Sequence, residues 1–216
     1  MGSFFDYVEP QAASDIADLS RRMYEVREAR KRLFIEAACL DADAMLAAVR
    51  DGRLPEHPGY EGWLAAQLMR EHEQALEAAL LWRCREANGE PALAAPALTG
   101  LAALAAALER ELPSTFAGSM RTHHDGLAFQ SDDGIDVMLR IVTPVAWSFE
   151  WRWRDALWRL DTAPVAHPGI TTQAHLHRPD GSVVDDPAPR PHNEDAVAIA
   201  RHFLHALAQS PVLGCA

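Results

Sequence analysis

Lysine is nearly missing from this chain: Lys31 stands alone, and every other strong cation is an arginine. The balance of 20 basic against 31 acidic residues gives a net charge of −11, which argues against tracking nucleic acid by bulk electrostatics. Divided at Leu112, the chain carries 12 basic and 19 acidic residues before that point and 8 and 12 after it, so neither half is basic. DNA is not an expected partner, and a role on RNA would need a local patch. No run approaches the roughly 18 apolar residues of a membrane span, so no membrane association is expected. Met1 to Pro10 contain no Lys or Arg, and a signal peptide is not expected either. Cysteine is scarce: Cys39, Cys84 and Cys215 are odd in number and far apart. That excludes a disulfide framework or a C-x-x-C pair and fits reduced thiols in a cytoplasmic protein. Phosphate-binding, dinucleotide, H-E-x-x-H and G-x-S-x-G motifs are all absent.

The first part of the chain has helical period. Ile16, Leu19, Met23, Val26 and Leu33 recur at three- and four-residue steps, with Ser14 or Asp15 as the expected cap. A short helix is expected from Asp41 to about Arg50. After a turn over Asp51 to Gly59, a long one runs from Tyr60 to about Ala87, striped by Leu64, Leu68, Ala75, Ala79 and Trp82 and stopped by Asn88-Gly89. Two long helices joined in this way make an antiparallel hairpin, its stripe an internal core or a dimer surface. Pro91 and Pro96 mark a linker, and a further helix is expected over Thr99 to Leu112.

Beyond Pro113 the period becomes two. Leu127 and Phe129 alternate up to the turn signal Asp132-Asp133-Gly134, and Ile135, Val137, Leu139 and Ile141 follow. Trp147, Phe149, Trp151 and Trp153 share one face of the next strand, opposite Ser148, Glu150, Arg152 and Arg154. A last strand sets Trp158 and Leu160 against Arg159 and Asp161. This alternation predicts an antiparallel meander with one buried face. The stretch from Thr162 to His192 reads as an irregular extended loop, and Asn193 is the expected cap of a final helix striped by Val197, Ala200, Phe203, Leu204 and Leu207. The expected class is α+β: a helical hairpin domain over 1–90, a linker over 91–98, and an α–antiparallel β-meander–α domain over 99–216.

Eight of the ten histidines follow residue 120. His167, His175 and His177 lie in the irregular stretch just after Arg159 and Asp161, and His175 and His177, one residue apart, point the same way on an extended chain. With a carboxylate such as Asp161, the three imidazoles suit a divalent transition metal; no organic cofactor is expected. Alternatively, one imidazole serves as general acid or base, with Arg140, Arg152 or Arg159 stabilising an anionic transition state. Loop histidines satisfied by solvent are the third alternative. Arg159 and Asp161 also read as an ion pair, and the polar strand face as a charge lattice.

The runs W-S-F-E-W-R-W (Trp147 to Trp153) and W-R-L-D-T-A-P (Trp158 to Pro164) are followed by His167-Pro168 and by T-x-A-H-L-H-x-x-D-G (Thr172 to Gly181). Together they resemble the TumE family of bacterial toxin–antitoxin proteins over roughly the last hundred residues. The resemblance implies a compact α/β domain partnered by an antitoxin and acting on RNA, with Arg159, Asp161, His167, His175 and His177 lining the functional groove. The helical N-terminal half departs from that pattern. Three functions therefore stand open: a ribonuclease-type hydrolase, a non-catalytic protein that dimerises or docks a partner through its hairpin, and a metal-dependent enzyme or sensor.

Overall fold

The computed structural model describes residues 8–90, 94–188 and 195–214. Helix α1 (Pro10–Glu36) starts earlier than the sequence suggests, because Glu9 and not Ser14 accepts from the first-turn N–H of Ala12 and Pro10 fits the first helical position. Helix α2 (Ala42–Arg50) is capped by Asp41 as expected. Helix α3 (Glu56–Ala87) packs along α1 to form the antiparallel hairpin. Val26, Ala65, Met69 and Leu76 are buried between them, with Leu19 and Met23 packed alongside. α3 begins four residues before Tyr60, with a bend at His57, whose extended φ/ψ of −111° and 130° is the conformation a following proline imposes.

After α4 (Gly100–Leu108), shorter than its expected end at Leu112, seven strands form one antiparallel sheet in chain order: β1 (Arg121–Thr122), β2 (Leu127–Gln130), β3 (Asp136–Thr143), β4 (Ala146–Trp153), β5 (Ala156–Asp161), β6 (His175–His177) and β7 (Val183–Asp185). The architecture is α+β, with helices, then a strand meander, then helix α5 (Ala196–Gln209). Asn193 lies outside the described residues; the α5 cap is Asp195, which accepts from Ala198 N at 2.8 Å.

Strand alternation divides the sheet into two unlike faces. One carries Leu127, Phe129, Val137, Leu139, Phe149, Trp151, Leu160 and Leu176, buried under α4 and α5. Phe149 stacks between Trp147 and Phe203, and the Trp151 indole donates to the Pro211 carbonyl at 2.8 Å, so its polar atom is satisfied. Phe149 is fully buried at the centre of this layer. Phe149→Ala is expected to cost about 3–5 kcal/mol through lost burial and the cavity left behind, read as a lower urea midpoint at unchanged slope.

The other face is polar, yet it does not simply meet solvent: α3 crosses it at β3 and β4. Tyr60 on α3 is buried there, its hydroxyl 3.0 Å from the Thr162 hydroxyl just past β5. The stretch after Thr162 is also less irregular than its prolines and glycines imply, since β6 and β7 extend the sheet from within it.

Candidate metal centre

Cross-strand register assembles the first part of the site. Asp161 on β5 stands directly opposite His175 on β6, and Arg159 opposite His177. Because residues two apart on a strand share a face, all four side chains project from the polar side of the sheet, where α3 covers them. The loop after β5 returns His167 to the same place, its ring centroid 4.7 Å from that of His175 and 5.1 Å from that of His177. Four of the five residues singled out from sequence, Asp161, His167, His175 and His177, therefore converge, and Arg159 stands at their edge.

The missing half of the cluster comes from the first turn of α3. Glu56 reaches among the three imidazoles, its carboxylate 2.9 Å from His167 Nε2, 3.1 Å from His175 Nε2 and 3.4 Å from His177 Nε2. His57 lies edge-on to His177, with centroids 4.4 Å apart, and its Nε2 is 3.6 Å from Asp161 Oδ2. One turn on, Glu61 accepts from His57 Nδ1 at 2.6 Å. Gly59, in the same turn, lets α2 approach closely: a Cβ there would lie 2.9 Å from Val49 Cγ2.

Sequence reasoning missed Glu56, His57 and Glu61. The readable signal was the His-x-x-x-Glu spacing of His57 and Glu61, which sets both side chains on one side of a helical turn.

Burial makes the electrostatics of this cluster consequential. Asp161 is wholly inaccessible, His175 is 2% exposed and Glu61 6%. Burial opposes the charge on Glu56, but the His175, His177 and His167 imidazoles that face its carboxylate outweigh it and hold the carboxyl well below its ordinary range. His175 and His57 are pushed in the opposite sense: burial disfavours their cations, yet Glu56 with Asp161, and Glu61 with Asp161, respectively raise both above the ordinary histidine value. Asp161 is the exception among the acids. Its burial wins over the neighbouring imidazoles and raises its pKa.

Arg159 does not pair with Asp161 as the sequence suggested. The two share a strand face, but the Arg159 guanidinium donates across to Glu150 at 2.9 Å and lies 3.7 Å from Glu61. Arg140 is tied elsewhere, to Asp125 at 2.6 Å.

Two sets of ligand-type atoms each lie within 4.8 Å of one another: Glu56, His167, His175 and His177, and Glu56, His57, Asp161 and His177. Ligands about 2.1 Å from a tetrahedral ion stand roughly 3.3–3.4 Å apart, close to the Glu56–imidazole separations. His175 has the supporting contact a ligand needs: its Nδ1 donates to the Gln173 carbonyl at 3.2 Å, which leaves the Nε2 lone pair of the neutral ring for an ion. Glu61 does the same for His57, and Arg159 in turn faces Glu61.

A cleft of about 400 Å³ opens beside His167 and His175, walled by Thr162, Val165, Ile170, Thr171 and Gln173. Another concavity, of about 320 Å³ over Arg121, Gln130, Asp136 and Arg152, includes no histidine. No family model matches the chain, and neither a curated protein nor a solved structure matches it.

Proposed function

We propose that this protein is a metal-dependent enzyme whose divalent transition metal is held by Glu56, His167, His175 and His177. The carrying observation is the convergence of three imidazole Nε2 atoms on one carboxylate, all within 3.4 Å of it. Imidazole with carboxylate is the donor set of zinc, manganese, iron and cobalt sites. An enzyme is favoured over a sensor or a structural metal because two of the ligands, His167 and His175, border a cleft large enough for a small molecule. Held by four protein groups, an ion with more than four coordination positions would keep one open on that side, where it would polarise a substrate oxygen and lower the pKa of a coordinated water. The best-supported reaction class is hydrolysis by a metal-activated water.

The RNA-directed reading has weaker support. It calls on Arg159 as a free cation, whereas two carboxylates already face that guanidinium. Docking through the hairpin has weaker support too, since Leu19 and Met23 pack against α3 and Leu68 is buried.

The test is to load chelator-stripped protein with Mn(II) and measure water-proton relaxation. Enhancement is expected, because an open coordination position exchanges water, and His175→Ala should weaken Mn(II) binding by more than about 100-fold, beyond the 10–100-fold that loss of a supporting partner costs. Tight binding without enhancement would mean a closed structural site. No binding at all would end the metal reading.

A further inference from the structure

We infer that the centre holds two metal ions, not one, with Asp161 and Glu56 between them; this rests on the metal reading above. Six side chains of metal-binding type meet here, counting both sets together, and a tetrahedral ion takes four. The two carboxyl oxygens of Asp161 face different histidines. Oδ1 is 3.5 Å from His175 Nε2, while Oδ2 is 3.6 Å from His57 Nε2 and 3.7 Å from His177 Nε2. A carboxylate presented in this way spans two ions about 3.5–4 Å apart, the separation of two-metal hydrolytic sites.

Three of the four residues in the second set bring a ligand atom that makes no hydrogen bond. His57 Nε2, His177 Nε2 and Asp161 Oδ2 are all buried and make no hydrogen bond. A buried polar atom left unpaired costs free energy, and three at one point, on a wholly buried acid and two imidazoles, are explained together by a cation they share. His57 is also prepared for the task, because Glu61 fixes its Nδ1 proton and turns Nε2 toward Asp161. The division that follows moves His177 to the second ion: one ion takes His167, His175, a Glu56 oxygen and Asp161 Oδ1, and the other takes His57, His177 and Asp161 Oδ2, with Glu56 also 3.4 Å from His177. Charge is consistent with it: three buried or half-buried carboxylates, Glu56, Glu61 and Asp161, surround the imidazoles, and the Arg159 guanidinium faces Glu61 at 3.7 Å.

The experiment uses Mn(II) as the probe, on the full chain after chelation. Equilibrium dialysis with metal analysis is expected to give two equivalents per chain, and electron paramagnetic resonance an exchange-broadened signal from a coupled pair. His57→Ala should retain one equivalent and show the six-line spectrum of isolated Mn(II). One equivalent in the unaltered chain overturns the pair while leaving the mononuclear reading intact, and none overturns both. Two equivalents without coupling overturn it as well, and that outcome needs no variant to fold. Two equivalents retained by His57→Ala would place the second ion elsewhere and also overturn it.

Discussion

Chelator-stripped protein returned to a divalent transition metal a thousandfold above its Kd is expected to melt about 8–16 °C higher than the stripped form. Binding to the folded chain alone contributes about 4 kcal/mol under that condition, and a domain of this size gains roughly 2–4 °C per kcal/mol. The gain is large because the ligands come from elements far apart in the chain. Glu56 is on α3, His175 and His177 are on β6, and His167 is in the loop between β5 and β6. Unfolding separates them, so the whole binding energy acts on the fold. His175→Ala, weakened by about 100-fold or more, should keep at most about a third of that shift at the same metal concentration. Glu61→Gln, which keeps every ligand and weakens only the support of His57, should show a reduced one. Differential scanning fluorimetry with and without metal reads all three, and an identical melting temperature for stripped and loaded protein would contradict the account.

Metal affinity should fall as the pH drops from 8 to 6. A ligand must give up its proton to bind, and His57 and His175 both have pKa values raised above 6.5 in the metal-free fold. Each proton displaced weakens binding about tenfold per pH unit once the pH is below the raised value. The stripped protein should respond in the opposite sense. Its raised histidines contribute stability that is full below pH 6.5, their unfolded value, and is lost as the pH climbs through the folded values. Glu56 and Glu61 are depressed from 4.5, so their contribution is present above that pH and is lost in stronger acid as the pH falls through the folded values. As far as these two histidines and two glutamates decide it, the metal-free chain should thus be at its best between about pH 4.5 and 6.5, with the raised Asp161 favouring the acid side, and the gap between stripped and loaded melting temperatures should widen as pH rises. A gap that narrows with rising pH would show that these imidazoles are not the ligands.

Much of this was legible in the sequence, and what was not has identifiable causes. The Trp147–Trp151 alternation specified β4 and its dry face because period two survives any tertiary context that buries one side. His175 and His177 were readable as a pair for the same reason. β6 and β7 were not, since three residues are too few to show a period and their neighbours are rich in proline and glycine. The polar face of the sheet read as solvated because Ser148, Glu150, Arg159 and Asp161 are residues that usually meet water. α3 instead covers them with charges of its own. That is also why half of the site stayed hidden. Glu56 precedes His167 by 111 positions and His175 by 119, and nothing local to Glu56-His57-Pro58 says which strand edge it will meet.

The most direct measurement is anomalous diffraction at the zinc edge from crystals grown with zinc. A peak about 2.0–2.1 Å from the Nε2 atoms of His167 and His175 and within about 2.2 Å of the Glu56 carboxylate is the expected result. Crystals in which those imidazoles keep their direct hydrogen bonds to Glu56, with no anomalous density among them at saturating zinc, would contradict it.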